Sequence, residues 1–124
     1  MTESAGFSLH HVQLALPPGG EDDCRRFYVD ALGMTEIPKP PVLASRGGLW
    51  LRADALEVHL GVEADFRPQL KAHPGILVGD LDALAARLAE HSVAVQWDDE
   101  FPGMRRFYCA DNNGNRLEFL TPLT

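Results

Sequence analysis

Apolar and polar positions alternate over residues 8–16, with Val12, Leu14 and Leu16 on one side and His11, Gln13 and Ala15 on the other. Successive side chains of a strand point to opposite faces, so the stretch reads as a strand with one core face and one polar-lined face. That parity puts His10 on the face of Val12 and His11 on the other. PPGG at 17–20 breaks the strand, and the acids of EDD suit the first turn of a helix. Cys24, Phe27, Tyr28, Ala31 and Leu32 then recur at helical spacing as one apolar stripe, which Gly33 ends as a C′ residue. Strand-like pieces follow at Met34–Ile37, Val42–Arg46, Leu49–Arg52 and Leu56–Val62.

The order then restarts. Gly75–Val78 is a short apolar run, Asp80 is placed to cap a helix, and Leu81, Leu84, Ala85 and Leu88 form its stripe. Strand-like segments return at Val93–Trp97, Arg105–Ala110 and Arg116–Thr121, with the turn signal DNNGN between the last two. Two βαβββ modules, 8–62 and 73–121, are joined by a linker at 63–72. This pattern predicts one internally duplicated α+β domain over 1–124.

Composition narrows the function classes. A chain of 124 residues with 45% hydrophobic and 23% charged residues suits one globular domain. Its net charge of −7 lacks the positive footprint that nucleic acid requires. No apolar run is long enough to cross a membrane, and MTESAGFSLHH lacks a leader pattern, so a cytoplasmic protein is expected. Cys24 and Cys109 fall on apolar faces and read as packed thiols.

The duplication carries metal-ligand chemistry at matching places. In LEVHLGV, Glu57 and His59 face away from Leu56, Val58 and Leu60; in NRLEFLT, Glu118 faces away from Leu117 and Phe119. Glu118 is thus the counterpart of His59. His73 opens the second module as His11 opens the first. Three imidazoles and a carboxylate on the polar faces make a donor set for Zn, Ni, Co or Fe, and the carboxylate oxygen admits Mn.

LHHVQLALP, RRFYVDALGM, LEVHLGVE, AHPGILVGDLDALAARL and RRFYCADNNGNRLEFL together resemble the vicinal-oxygen-chelate superfamily of glyoxalases, bleomycin-resistance proteins and extradiol dioxygenases. The last segment resembles the family's DP-x-G-N-x-x-E ending, with Asn112 where proline is usual. The resemblance implies two βαβββ modules forming an open, curled mixed sheet around one divalent ion, with ligands at His11, His59, His73 and Glu118. It also implies a homodimer, with the site formed within one chain or shared between two.

The function so implied is metal-assisted stabilisation of an enolate or oxyanion of a small oxygen-chelating substrate, of lyase or isomerase type. An extradiol-type dioxygenase using His11, His73 and Glu118, or a non-catalytic antibiotic-binding resistance protein, are the alternatives. Glu118, Tyr108 and Glu57 are the candidate catalytic residues. Fosfomycin-resistance thiol transferases have a tyrosine at a place similar to Tyr108, but Gln13 stands where they carry a threonine. Gln13, Arg46, Lys71 and Arg106 are the candidates for holding substrate.

Overall fold

A computed structural model describes residues 3–124. Its first module runs β1 (Val12–Leu16), α1 (Glu21–Cys24, continued as a π-helix over Arg25–Ala31), β2 (Thr35–Ile37), α2 (Pro41–Ala44), β3 (Leu49–Ala53) and β4 (Leu56–Val62). The second runs β5 (Gly75–Leu77), α3 (Leu81–Glu90), β6 (Gln96–Asp98), β7 (Met104–Ala110) and β8 (Arg116–Pro122). The two sheets have the orders β1-β4-β3-β2 and β5-β8-β7-β6, the same topology twice. In each, the first strand pairs in parallel with the last, and the other neighbours are antiparallel. The duplication expected from the pattern is therefore present. Each module keeps its own open four-stranded sheet.

Local chemistry accounts for the boundaries. The Asp80 carboxylate accepts the Ala83 N–H at 3.0 Å and caps α3, and Gly33 ends the first helix at φ +81. In the DNNGN turn, Asp111 accepts the N–H groups of Asn113 and Asn115, each at 2.9 Å, and Gly114 supplies φ +89.

Three expectations are corrected. Val42–Arg46 is not a strand: Pro41 stands in the first helical turn, where its fixed φ suits a helix and its missing N–H costs nothing, and α2 forms there. In the second module the strand expected at Val93–Trp97 spans only Gln96–Asp98. The first strand begins at Val12, so His10 and His11 lie ahead of it, and both are exposed. Val12, the first residue of β1, is registered with Val58 on β4, so no ladder fixes the parity of the two histidines.

One core cluster spans both modules, including Leu16, Tyr28, Leu51 and Leu60 from the first and Leu88, Phe107, Leu117 and Phe119 from the second. Hydrogen bonds lock the junction. The Tyr28 hydroxyl donates to Asp111 at 2.6 Å, the Asn115 amide donates to the Ala15 carbonyl at 2.9 Å, and Arg87 donates to the Ala31 carbonyl at 2.9 Å. Cys24 and Cys109 are both free and buried, as expected. Burial pushes the Cys109 thiol up to about 12 and raises that of Cys24, so neither forms thiolate near neutral pH. Iodoacetamide at pH 8 is expected to leave both unmodified in the folded protein and to modify both in urea, as read by intact mass.

Candidate functional site

The register of the sheets establishes the equivalences that strand parity suggested. Gln13, two residues after His11, pairs with His59 on β4; Gly75, two residues after His73, pairs with Glu118 on β8. On the third strands, Trp50 is opposite His59 and Tyr108 opposite Glu118. His59 and Glu118, and Trp50 and Tyr108, thus occupy matching places on the two sheets, and His11 and His73 stand at matching places ahead of the first strand of each.

The second module presents an ordered pair. His73 Nε2 lies 2.9 Å from Glu118 Oε1, and His73 Nδ1 donates to the Lys71 carbonyl at 2.7 Å. The carbonyl accepts only from a protonated Nδ1, which leaves Nε2 with a lone pair in the neutral ring. Two ligands set at right angles on an ion at about 2.1 Å stand about 3 Å apart. As it stands the contact is a hydrogen bond to the carboxylate, and the same separation would suit a divalent ion taking the place of the bridging proton. Arg106 donates to the other carboxylate oxygen, Glu118 Oε2, at 3.1 Å, and is itself held by Asp98 at 3.0 Å. The Glu100 N–H, the main cause, and Arg106 hold the Asp98 carboxyl below the usual range. Tyr108 meets the His73 ring edge-on at 5.4 Å, and the Arg116 guanidinium lies 4.0 Å above the tyrosine ring.

The first module presents a stack. His59, only 5% exposed, is sandwiched between the Trp50 ring at 3.9 Å and 4° and the His11 ring at 3.9 Å and 15°. Its Nε2 lies 3.0 Å from Glu57 Oε1, and the same carboxylate takes Arg52 at 3.3 Å. Hydrogen bonding to His59, first, and to Arg52 lowers the Glu57 pKa. Glu57 is thus engaged in orienting His59. An imidazole lone pair lies in the plane of its ring, so two parallel rings cannot both aim at one ion. His11, exposed and hydrogen-bonded to His10 between their Nδ1 atoms at 2.9 Å, is the ring that must turn for both to serve.

Within one chain the four predicted ligands do not converge. They form two pairs, and among the described residues no group of three or more His, Cys, Asp or Glu side chains is arranged to hold a metal ion. Of the predicted substrate contacts, Gln13 and Arg46 line a cavity with His59, and Arg106 lies beside Glu118. Lys71 is exposed and contributes its backbone carbonyl to His73. Asp98, Arg116 and Trp50 are not among the predicted site residues, because nothing local says which sheet neighbour a side chain will meet. A surface cavity of about 960 Å³ runs between α1 and the end of α3 and includes none of the predicted site residues.

A family model described as the glyoxalase/bleomycin resistance protein/dioxygenase superfamily matches residues 8–119. A solved structure assigned to the glyoxalase family, from Bacillus anthracis, is 38% identical, with a TM-score of 0.94 over 98% of this chain and 100% of that one. An antibiotic-binding protein from a Streptomyces species shares the fold at 23% identity and TM-score 0.71, covering 98% of this chain and 100% of that one. A glyoxalase family protein from Enterococcus faecalis does so at 20% and 0.72, over 91% and 96%. No curated protein matches the chain.

Proposed function

The chain belongs to the glyoxalase/bleomycin resistance protein/dioxygenase superfamily, and from that membership we propose a divalent-metal enzyme whose site is completed by a second copy of the chain. One observation carries this reading. His73 and Glu118 hold their ligating atoms in a hydrogen bond whose length would also suit two ligands of one ion, while the remaining predicted donors lie in a separate pair. His73 and Glu118 of one copy and His11 and His59 of the other would hold the ion. When bound, it would supply Lewis-acid stabilisation of the enolate or oxyanion of a substrate chelating through two oxygens, chemistry of lyase or isomerase type.

The chain's own residues have defined parts in this scheme. Arg106 occupies Glu118 Oε2 and leaves Oε1 facing His73. The Lys71 carbonyl fixes the His73 tautomer, and Glu57 fixes the orientation of His59. Tyr108, half-buried beside His73, offers a hydroxyl to a substrate oxygen. An alternative reading, sequestration of a flat small molecule, is favoured by the parallel stack of Trp50, His59 and His11.

Complementation tests the proposal. Variant His11→Ala/His59→Ala and variant His73→Ala/Glu118→Gln are each expected to lose divalent-ion binding by calorimetry. Refolded together in equal amounts, they should recover about a quarter of the sites, since half the dimers are mixed and each mixed dimer rebuilds one intact site. No recovery overturns the shared site. A wild-type protein that retains no divalent ion, and whose stability none alters, leaves the sequestration reading.

The adjacent histidines separate as well. His11→Ala is expected to lower metal affinity by at least about tenfold, in the range for losing a group that holds the ion or its ligands. His10→Ala, removing only a partner on the exposed side of His11, is expected to change it less than threefold. The reverse order, read by titration with Zn, Ni or Mn, would exclude His11 as a ligand.

A further inference from the structure

The two modules differ above their polar faces. The connection between β2 and β3 spans residues 38–48 and folds into α2, whereas that between β6 and β7 spans only 99–103. Over the first sheet α2 and its flanks form a roof. Beneath it lies a cavity of about 190 Å³ whose lining includes Lys39 and Arg46 from the roof and Gln13, Trp50, His59 and Gly61 from the sheet. The cavity has two cations and no carboxylate in its lining, in a chain whose net charge is −7.

The cavity is locally built. Lys39 donates to the Gly47 carbonyl, which ties the two ends of the roof together. At Gly61 a Cβ would meet the Gln13 amide, so glycine there lets that amide lie across β4 at the cavity floor. Gly48 has φ +78, and its N–H donates to the Glu21 carboxylate at 2.9 Å. That bond is the main cause lowering the Glu21 pKa; this acid is not part of the lining, but its carboxylate lies close behind Gly47 at the cavity edge. Arg46 is exposed and forms no salt bridge to a carboxylate among the described residues.

We propose that this cavity binds the oxyanion end of the substrate, a carboxylate or phosphate on a short carbon chain, with Lys39 and Arg46 as the cations and the Gln13 amide as a further donor. Size sets the limit. A volume near 190 Å³ equals about six waters of liquid, too small for a drug-sized molecule but enough for an oxyanion and two or three carbons. His59 shares the lining, so an anion seated there places the attached carbons beside the histidine pair of the first module. The assignment to substrate rests on the metal-site reading, but binding of the anion itself does not.

The chain has 2 tryptophans, so Trp97→Phe leaves Trp50, in the cavity wall, as the sole indole reporter. In that background, titration with lactate and with inorganic phosphate, at constant ionic strength in chloride, is expected to give a saturable fluorescence change. Saturation by lactate alone assigns the pocket to carboxylates, by phosphate alone to phosphate esters, and by both to either end group. Arg46→Gln, at an exposed position, and Lys39→Met are each expected to weaken binding at least about tenfold, as loss of a charge-assisted hydrogen bond implies. Arg105→Gln, which removes an exposed cation paired with Asp82 and outside the cavity lining, should leave it unchanged. No saturable response to either probe, or unchanged binding in both cation variants, overturns the proposal. Anion binding without divalent-ion binding would instead overturn the metal-site reading and leave the pocket standing.

Discussion

Glu118→Gln is expected to lower divalent-ion affinity by about 100-fold while leaving a folded protein. The substitution conserves shape but removes the charge that faces His73 at 2.9 Å and Arg106 at 3.1 Å. Loss of a group that merely orients a ligand costs about 10- to 100-fold in metal affinity, so loss of a carboxylate ligand belongs at or beyond the upper end. Arg106 remains paired with Asp98, which limits the cost of stranding it. Calorimetric titration with Zn, Ni or Mn, alongside a thermal melt, separates the two effects. Affinity within threefold of wild type would remove Glu118 from the ligand set, and with it the equivalence to His59 as a statement about metal binding.

The second large effect concerns the junction between the modules. Asp111, 5% exposed, accepts the Tyr28 hydroxyl at 2.6 Å, the Asn113 and Asn115 N–H groups at 2.9 Å, and the Asn115 amide at 3.2 Å. Asp111→Ala strands these donors, of which the Tyr28 hydroxyl is buried between the modules. Each buried unsatisfied group costs about 1–3 kcal/mol, so a loss of about 3–5 kcal/mol is expected. Tyr28→Phe removes one of the four bonds and leaves the turn intact, and should cost about 1.5–3 kcal/mol. Urea midpoints check both. If Asp111→Ala proved no worse than Tyr28→Phe, the turn contacts would contribute nothing to stability, and the carboxylate would act only as the tyrosine's partner.

Much of the architecture was legible because it depends on periods short enough to read along the chain. Alternation with period two distinguished the core face of β4 from the face of Glu57 and His59, and placed Leu117 and Phe119 opposite Glu118. Val58, Leu60, Leu117 and Phe119 are all in the core, and His59 and Glu118 on the opposite faces are buried as well, because other side chains cover them. The helical stripe of Cys24, Phe27, Tyr28 and Ala31 is buried as read, although the backbone there takes the wider π form. Where local signals competed, the reading failed. VLASR is apolar enough for a strand, but Pro41 in a first helical turn set the conformation, and no ladder partner was available to override it.

The sequence by itself determined the duplication, the donor types and their matching places, because repeat order and strand parity are properties of the chain taken a few residues at a time. Tertiary structure decided what those donors meet. It put Trp50 against His59 on the polar face and left Trp97 on the side of Phe107. It took His10 and His11 out of the ladder, placed Arg106 on Glu118 and Glu57 on His59, and brought Lys39 beside Arg46 under one roof. It also divided the four predicted ligands into two pairs instead of one cluster. The physical reason is that a side chain's face is fixed by its own backbone, whereas its partner comes from a strand or loop tens of residues away, through a register that only the folded sheets define.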